Sequence, residues 1–167
     1  MASADYYLKI EGITGETVTE GFTEQMQLQS WSWGTTNSGS AAQGQGMGVG
    51  KATPSDFHFV IQNGQASVQL ALAVWKGNHI KEATLTCRKT GGDGKPYPYY
   101  KVTFTDLVIS SHQEGGSDGS DILPMVQISF NFAKVNAQYF KQDTKSGQVK
   151  QSNNVTYDVK LVKAEGA

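Results

Sequence analysis

The sequence predicts a mainly β domain with one short α-helix and one long extended loop. Three observations point there. Val, Ile, Thr and the aromatic residues fill 51 of the 167 positions, and these side chains fit a pleated, half-buried surface. Apolar and polar residues alternate along several segments, whereas one segment alone repeats at helical spacing. Gly-rich turn sequences separate the alternating segments. A chain of 167 residues fits a single domain, residues 1–167.

The elements follow in order. In Tyr6–Ile13, Leu8 and Ile10 share one face, with Lys9 and Glu11 on the other. A strand near 22–33 ends in Trp31-Ser32-Trp33-Gly34. Its two Trp share a face, and Ser30 and Ser32 share the opposite one. Met26 and Leu28 have the parity of the serines, so either a bulge intervenes or different neighbours bury both faces. Residues 34–54 hold six Gly, with apolar Met47 and Val49 near the far end. A structureless stretch of about 20 residues is uncommon inside a compact domain. It is either disordered or an arm that finds its order on another molecule. A strand over 57–62 precedes the helix. There Val68, Leu72 and Trp75 fall at i, i+4 and i+7, beside Ala71 and Val74. They form an apolar stripe that must pack on something, since so short a helix is marginal alone. Ser67 or Asn63 can cap its start, and Gly77 suits a left-handed stop. The helix would plug the end or side of a barrel or sandwich.

A strand over 82–90 carries Cys87 on the face of Leu85, as a buried thiol. Gly91 to Pro96 is hairpin turn chemistry. In Tyr100–Ile109, Val102 and Phe104 alternate with Lys101, Thr103 and Thr105, and Asp106 is next in phase. Glu114 to Asp121 forms a second Gly-rich loop. In Val126–Val135, Val126, Ile128, Phe130 and Phe132 alternate with Gln127, Ser129 and Asn131. Val155–Val162 is the last strand, with Tyr157, Val159 and Leu161 on one face.

Charged residues are 17% of the chain, below the ~25% of an average domain. The net charge is −1, and 14 Gln and 7 Asn supply polarity instead. Nucleic-acid binding needs a cationic field, which this chain lacks. Disorder needs high net charge and few aromatics, and 7 Phe, 7 Tyr and 3 Trp argue against it. So weakly charged a surface opposes self-association little. The N-terminus has no basic start, apolar run or cleavage site, which predicts no signal peptide. No run of ~18 apolar residues predicts a membrane span. The chain is expected in the cytoplasm unless a machine exports it.

No chemistry of catalysis stands out. Around Gly50-Lys51 a phosphate loop fails on spacing, with Gln45 where Gly is needed and Ala52 where Ser or Thr is needed. His58, His79 and His112 lack metal-ligand spacing. Glu114, Asp118 and Asp121 lack the pattern of a calcium loop. Asp106 with Asp158 is a conceivable carboxylate pair that nothing marks. We therefore expect no catalytic residue, no metal and no cofactor. Paired Trp with small hydroxyls opposite suits a strand with protein on one side and an aqueous lumen on the other.

Four segments together resemble the Hcp family, the haemolysin-coregulated proteins of type VI secretion systems. They are Asp5 to Glu16; Trp31-Ser32-Trp33-Gly34 with the Gly-rich arm; Phe57 to Ile61, the helix and Gly77-Asn78-His79-Ile80; and Val108 to Ser111, Gly115-Gly116 and Val126 to Tyr139. The resemblance runs over essentially the whole chain. It implies a small β-barrel of two packed antiparallel sheets with a flanking helix. It implies six copies in a ring, and rings stacked into a tube within a contractile sheath, capped by a spike protein. It implies effector toxins as cargo, and secretion through the machine without a signal peptide. Ser32 is then expected to face the channel and contact cargo. Met47, Val49 and Lys51 are expected on an adjacent subunit or ring. A phage-type tail-tube protein would share fold and ring. A monomeric carbohydrate-binding or hydrolytic β-domain would instead show converging carboxylates or His.

Overall fold

A computed structural model describes residues 4–39, 50–119 and 123–166. Its elements are β1 (Asp5–Ile10), β2 (Met26–Gln27), β3 (Ser30–Ser32), β4 (Thr35–Asn37), β5 (Ala52–Pro54), β6 (Phe57–Gln62), α1 (Gln65–Lys76), β7 (His79–Thr90), β8 (Pro96–Gly115), β9 (Met125–Gln142), β10 (Val149–Asp158) and β11 (Lys163–Gly166). The mainly β class with one helix is as the sequence predicts.

The frame is the antiparallel pair of β8 and β9, of 20 and 18 residues. The free edge of β9 is divided. Met125 to Phe130 pair with β6, and Lys134 to Gln142 pair with β10. On the other side β7, β1 and β2 follow β8. The segment from β2 to β3 crosses from the β2 end of this path to the β6 branch that pairs with β9. Leu28 N–H bonds Tyr6 O, and Gln29 N–H bonds Val60 O, each at 2.9 Å. β3 then pairs with β6. The two antiparallel sheets expected from the sequence are present, but they do not close into a barrel. One nine-stranded sheet curls on itself, and the second sheet is only the β4–β5 hairpin. The curl is not a closed barrel, because β2 and β3 follow each other in the chain and do not form a ladder.

The dry face shifts by one residue at one level of three adjacent strands. Buried positions step from Ile80 to Ala83, from Phe104 to Leu107 and from Phe132 to Val135. Asp106 lies at that level with φ 56°, a left-handed conformation that Asp tolerates better than most residues. It therefore leaves the apolar phase that simple alternation assigned it, and bonds Lys160 Nζ at 2.8 Å and His79 Nδ1 at 3.2 Å. The core centres on Phe57, Phe104 and Phe130, whose rings lie 4.9–5.1 Å apart. Cys87 is fully buried beside Leu85, as expected. Burial pushes its thiol pKa up to about 12, so it is no nucleophile.

The final strand differs from expectation. It ends at Asp158, whose Oδ1 accepts Leu161 N–H at 2.9 Å, and the chain returns as β11. Tyr157 and Val159 pack against the core, but Leu161 is exposed in the turn. The helix also turns its other face inward. Ala66, Ser67, Leu70, Ala71 and Ala73 are buried, whereas Val68, Leu72 and Trp75 are 69%, 45% and 80% exposed. The small residues explain this, because they let the helix backbone approach the sheet. His112 of β8 reaches the carbonyl of Ser67 at 3.2 Å. Gly77 ends the helix at φ 64°, as expected. Its start is not capped by Ser67 or Asn63 from the N-cap position, which Gly64 occupies. Glu16, distant in sequence, accepts the Gln65 N–H at 3.1 Å, and Ser67 Oγ accepts that of Gly64 at 3.3 Å. The Glu16 carboxylate also complements the positive end of the helix dipole.

The two helix faces predict opposite mutational costs. Leu70→Ala should cost about 2–5 kcal/mol, and Trp75→Ala at most about 0.5 kcal/mol. Urea unfolding under conditions that keep the chain monomeric measures both. Equal losses would contradict the helix orientation.

Candidate functional site

The Trp pair sets the site. Trp31 stacks on Phe57 at 6.2 Å and Tyr100 at 6.3 Å, with its edge to Tyr6 at 5.9 Å. Trp33 meets Phe104 at 5.9 Å and Phe132 at 6.2 Å, both edge-on. Both indoles turn to the core, so the alternation of a strand sends Ser30 and Ser32 to the other side. Both serines are exposed. This is the alternation read from Trp31-Ser32-Trp33.

The register then adds neighbours. Ser32 lies opposite His58 on β6, and His58 lies opposite Ser129 on β9. Ser129 pairs in turn with Ser111 on β8, and Gln127 with Gln113. A shallow depression of ≈ 480 Å³ joins Ser30, Ser32, His58, Ser111, Gln113 and Gln127. None of the side chains lining it is a Lys, Arg, Asp or Glu. Ser129 is 3% exposed and anchors the floor. Its hydroxyl shares hydrogen bonds with Ser110 at 2.8 Å and Ser111 at 2.5 Å. Ser110 also donates to Asp56 Oδ2 at 2.7 Å.

Hydroxyls and amides here both donate and accept hydrogen bonds without carrying charge. They can hold a polar partner, and among the described residues no His orients a Ser hydroxyl by a hydrogen bond. Asp106 and Asp158 are engaged separately, the first with Lys160 and His79 and the second with the backbone of Leu161. Among the described residues no group of three or more His, Cys, Asp or Glu could hold a metal ion.

Sequence reasoning singled out Ser32; the structure places it in one depression with His58, Ser111, Gln113 and Gln127, and with Ser129 buried beneath, none of which the sequence reading joined to it. A signal existed, because Gln127 and Ser129 occupy the polar parity of β9 and Phe57-His58-Phe59 has the same alternation. Which strands adjoin is a matter of topology, and local periodicity does not carry it.

The described root of the arm is a hairpin, in which β4 and β5 pair from Thr35↔Pro54 to Asn37↔Ala52. Ser55 clamps the entry, with its N–H on Gly34 O at 2.8 Å and its Oγ accepting Gly34 N–H at 2.9 Å. Tyr157 OH donates to Ala52 O at 2.9 Å and ties the hairpin to β10. Lys51 is exposed at the described end of the arm. Met47 and Val49 lie outside the described residues. Nothing brings Lys51 together with Ser32.

Comparison with known proteins agrees with this architecture. Residues 7–139 match the family model described as "Type VI secretion system effector, Hcp". The chain is 37% identical over 155 residues to Protein hcp1 of Pseudomonas aeruginosa, covering 93% of each. It resembles the structure of Hcp1 from Salmonella typhimurium with a TM-score of 0.77 and 28% identity, covering 99% of this chain and 100% of that one. A type VI secretion system effector from Yersinia pestis matches with a TM-score of 0.71 and 30% identity, over 93% of this chain and 100% of that one. With the match spanning sequence and fold alike, the chain belongs to the Hcp family of type VI secretion proteins.

Proposed function

We propose that this chain is the structural subunit of an exported type VI secretion tube. Six copies close a ring, rings stack, and the Ser32 face lines the channel and holds effector cargo. The observation that carries this is the Ser30–Ser32–His58–Gln127 face, lined by no Lys, Arg, Asp or Glu and backed by the Trp pair. A channel that must first hold cargo and then release it is served by uncharged groups. Their hydrogen bonds exchange readily with water, each contributing only about 0.5–1.5 kcal/mol net.

Ring closure requires two different surfaces of one chain to meet head to tail. The curled sheet ends in β2 and β11, and the β4–β5 hairpin pairs only with itself. Such edges call for a partner strand or a cover, and a neighbouring copy supplies either. The arm, with Met47, Val49 and Lys51, reaches the adjacent subunit or ring. The spike protein caps the stack, a sheath surrounds it, and effectors travel inside. The protein stays in the cytoplasm until firing and leaves with the tube. The role is structural, with no catalytic step and no cofactor or metal. Among the described residues no helix is long and apolar enough to cross a membrane.

Native mass spectrometry with negative-stain imaging tests the assembly. Six-fold rings are expected, and a monomer at micromolar concentration would refute it. Deleting residues 40–50 should leave the monomer folded by circular dichroism but reduce stacking at least tenfold by filament counts; unchanged tubes would remove the arm from the interface. Ser32→Gln should keep rings intact while weakening effector retention about tenfold or more in co-purification. Unchanged retention would place cargo elsewhere.

A further inference from the structure

The Ser32 depression has one ionisable side chain. Of the described residues that line it, only His58 belongs to the type that ordinarily changes charge between pH 5 and 8. Phe57 and Phe59 are buried on either side of it in β6, so His58 turns outward and is exposed. In the register it stands between Ser32 of β3 and Ser129 of β9. We propose that His58 sets the charge preference of the cargo face, taking carboxylate-bearing segments of cargo when its imidazole is protonated. The proposal rests on the cargo-carrying tube proposed above and deepens it, by naming a chemical class of cargo and the condition that favours it.

The partners of the three histidines carry the argument. His79 Nδ1 lies 3.2 Å from Asp106 Oδ1, and His112 Nε2 lies 3.4 Å from Glu114 Oε1. Each of these has its carboxylate within the chain. The imidazole of His58 makes no hydrogen bond or ion pair among the described residues. Its surroundings supply no counter-charge. β3 brings Ser30 and Ser32, β9 brings Gln127 and Ser129, and β8 brings Ser111 and Gln113. On its own strand side Asp56 stands two residues earlier, and its Oδ2 is taken by the Ser110 hydroxyl. His112 and Glu114 lie across the β8 wall. Neighbouring side chains of a strand point to opposite faces. His112 reaches the Ser67 carbonyl of α1, whereas Ser111 and Gln113 open into the depression.

An imidazolium at His58 is therefore left to find its anion outside the chain. A carboxylate is the fitting partner, because a hydrogen bond between two charged groups is about twice as strong as a neutral one. The hydroxyls and amides around it can hold the rest of a peptide segment. In a ring the site recurs in every copy, and contacts made to several copies by one extended segment sum. The sign follows. Neutral His58 leaves the face without a charge preference. Acidification adds positive charge that no carboxylate of the lining cancels, so acidic segments gain and basic ones lose.

A tetramethylrhodamine-labelled Glu-Gly repeat peptide, with its Lys-Gly counterpart, tests this by fluorescence anisotropy on the purified full-length protein. The glutamates stay ionised at pH 5.5, above their ordinary pKa of about 4.3. The acidic peptide should bind at least tenfold tighter at pH 5.5 than at pH 8, and the basic one should not gain. His58→Gln should reduce the gain below twofold, while His79→Gln should keep it. His58→Lys should bind the acidic peptide at pH 8 as tightly as the parent protein does at pH 5.5. A gain that survives in His58→Gln, or one shared by the basic peptide, would overturn the proposal. Native mass spectrometry of the same samples reads the assembly separately. Rings without a His58-dependent gain would keep the tube and overturn this site. A monomer with a His58-dependent gain would keep the site and refute the ring.

Discussion

One strand edge organises this molecule. The free side of β9 serves β6 along Met125–Phe130 and β10 along Lys134–Gln142. Two partners on one edge cannot both continue a flat sheet, since each diverges with its own twist. The sheet parts at Phe132 to Lys134, the level where the dry face of β7, β8 and β9 shifts phase. β6 curls over one half and receives β3, which delivers Trp31 and Trp33 to the Phe57–Phe104–Phe130 cluster. β10 and β11 extend the other half and hold the arm through Tyr157. The neutral face and the arm root are thus two consequences of one division.

How much of this was legible in the sequence depended on the range of each signal. Period-2 alternation reports local burial, so the strands around Leu8, Val102 and Phe130 and the buried Cys87 emerged from it. Gly91–Pro96 and Gly77 did too, because turn and stop chemistry is also local. Asp106 did not, since one left-handed residue resets the phase and alternation carries no sign of it. The helix misled for another reason. Its most apolar stripe was read as its packing face, but the sheet selected by size. Ala66, Ser67 and Ala73 allow the backbone contact that Val68 and Trp75 would block. The face around Ser32 needed four strands in register, and register is a long-range property.

The weak charge of the chain fits this arrangement. Its polarity comes largely from Gln, Asn, Ser and Thr, and one place where they gather is the depression from Ser30 to Gln127. Ion pairs lie elsewhere, as with Lys160 on Asp106, Arg88 on Asp5 and Lys163 on Glu165. A charged lining repeated around a ring would set up a single-sign field, favouring cargo of one sign and repelling the other. A lining of hydroxyls and amides imposes no such choice. It also adds no electrostatic cost when copies stack.

The same logic gives the helix its place. Apolar surface left in water costs about 25 cal/mol per Å² relative to burial. A stripe led by an 80%-exposed Trp75 is therefore a standing drive toward association. That drive is too small to close an interface by itself, and it is separated from the polar face by the β8 wall. The helix stripe and the Ser32 face are thus two chemically distinct surfaces of one subunit, the first apolar and the second polar.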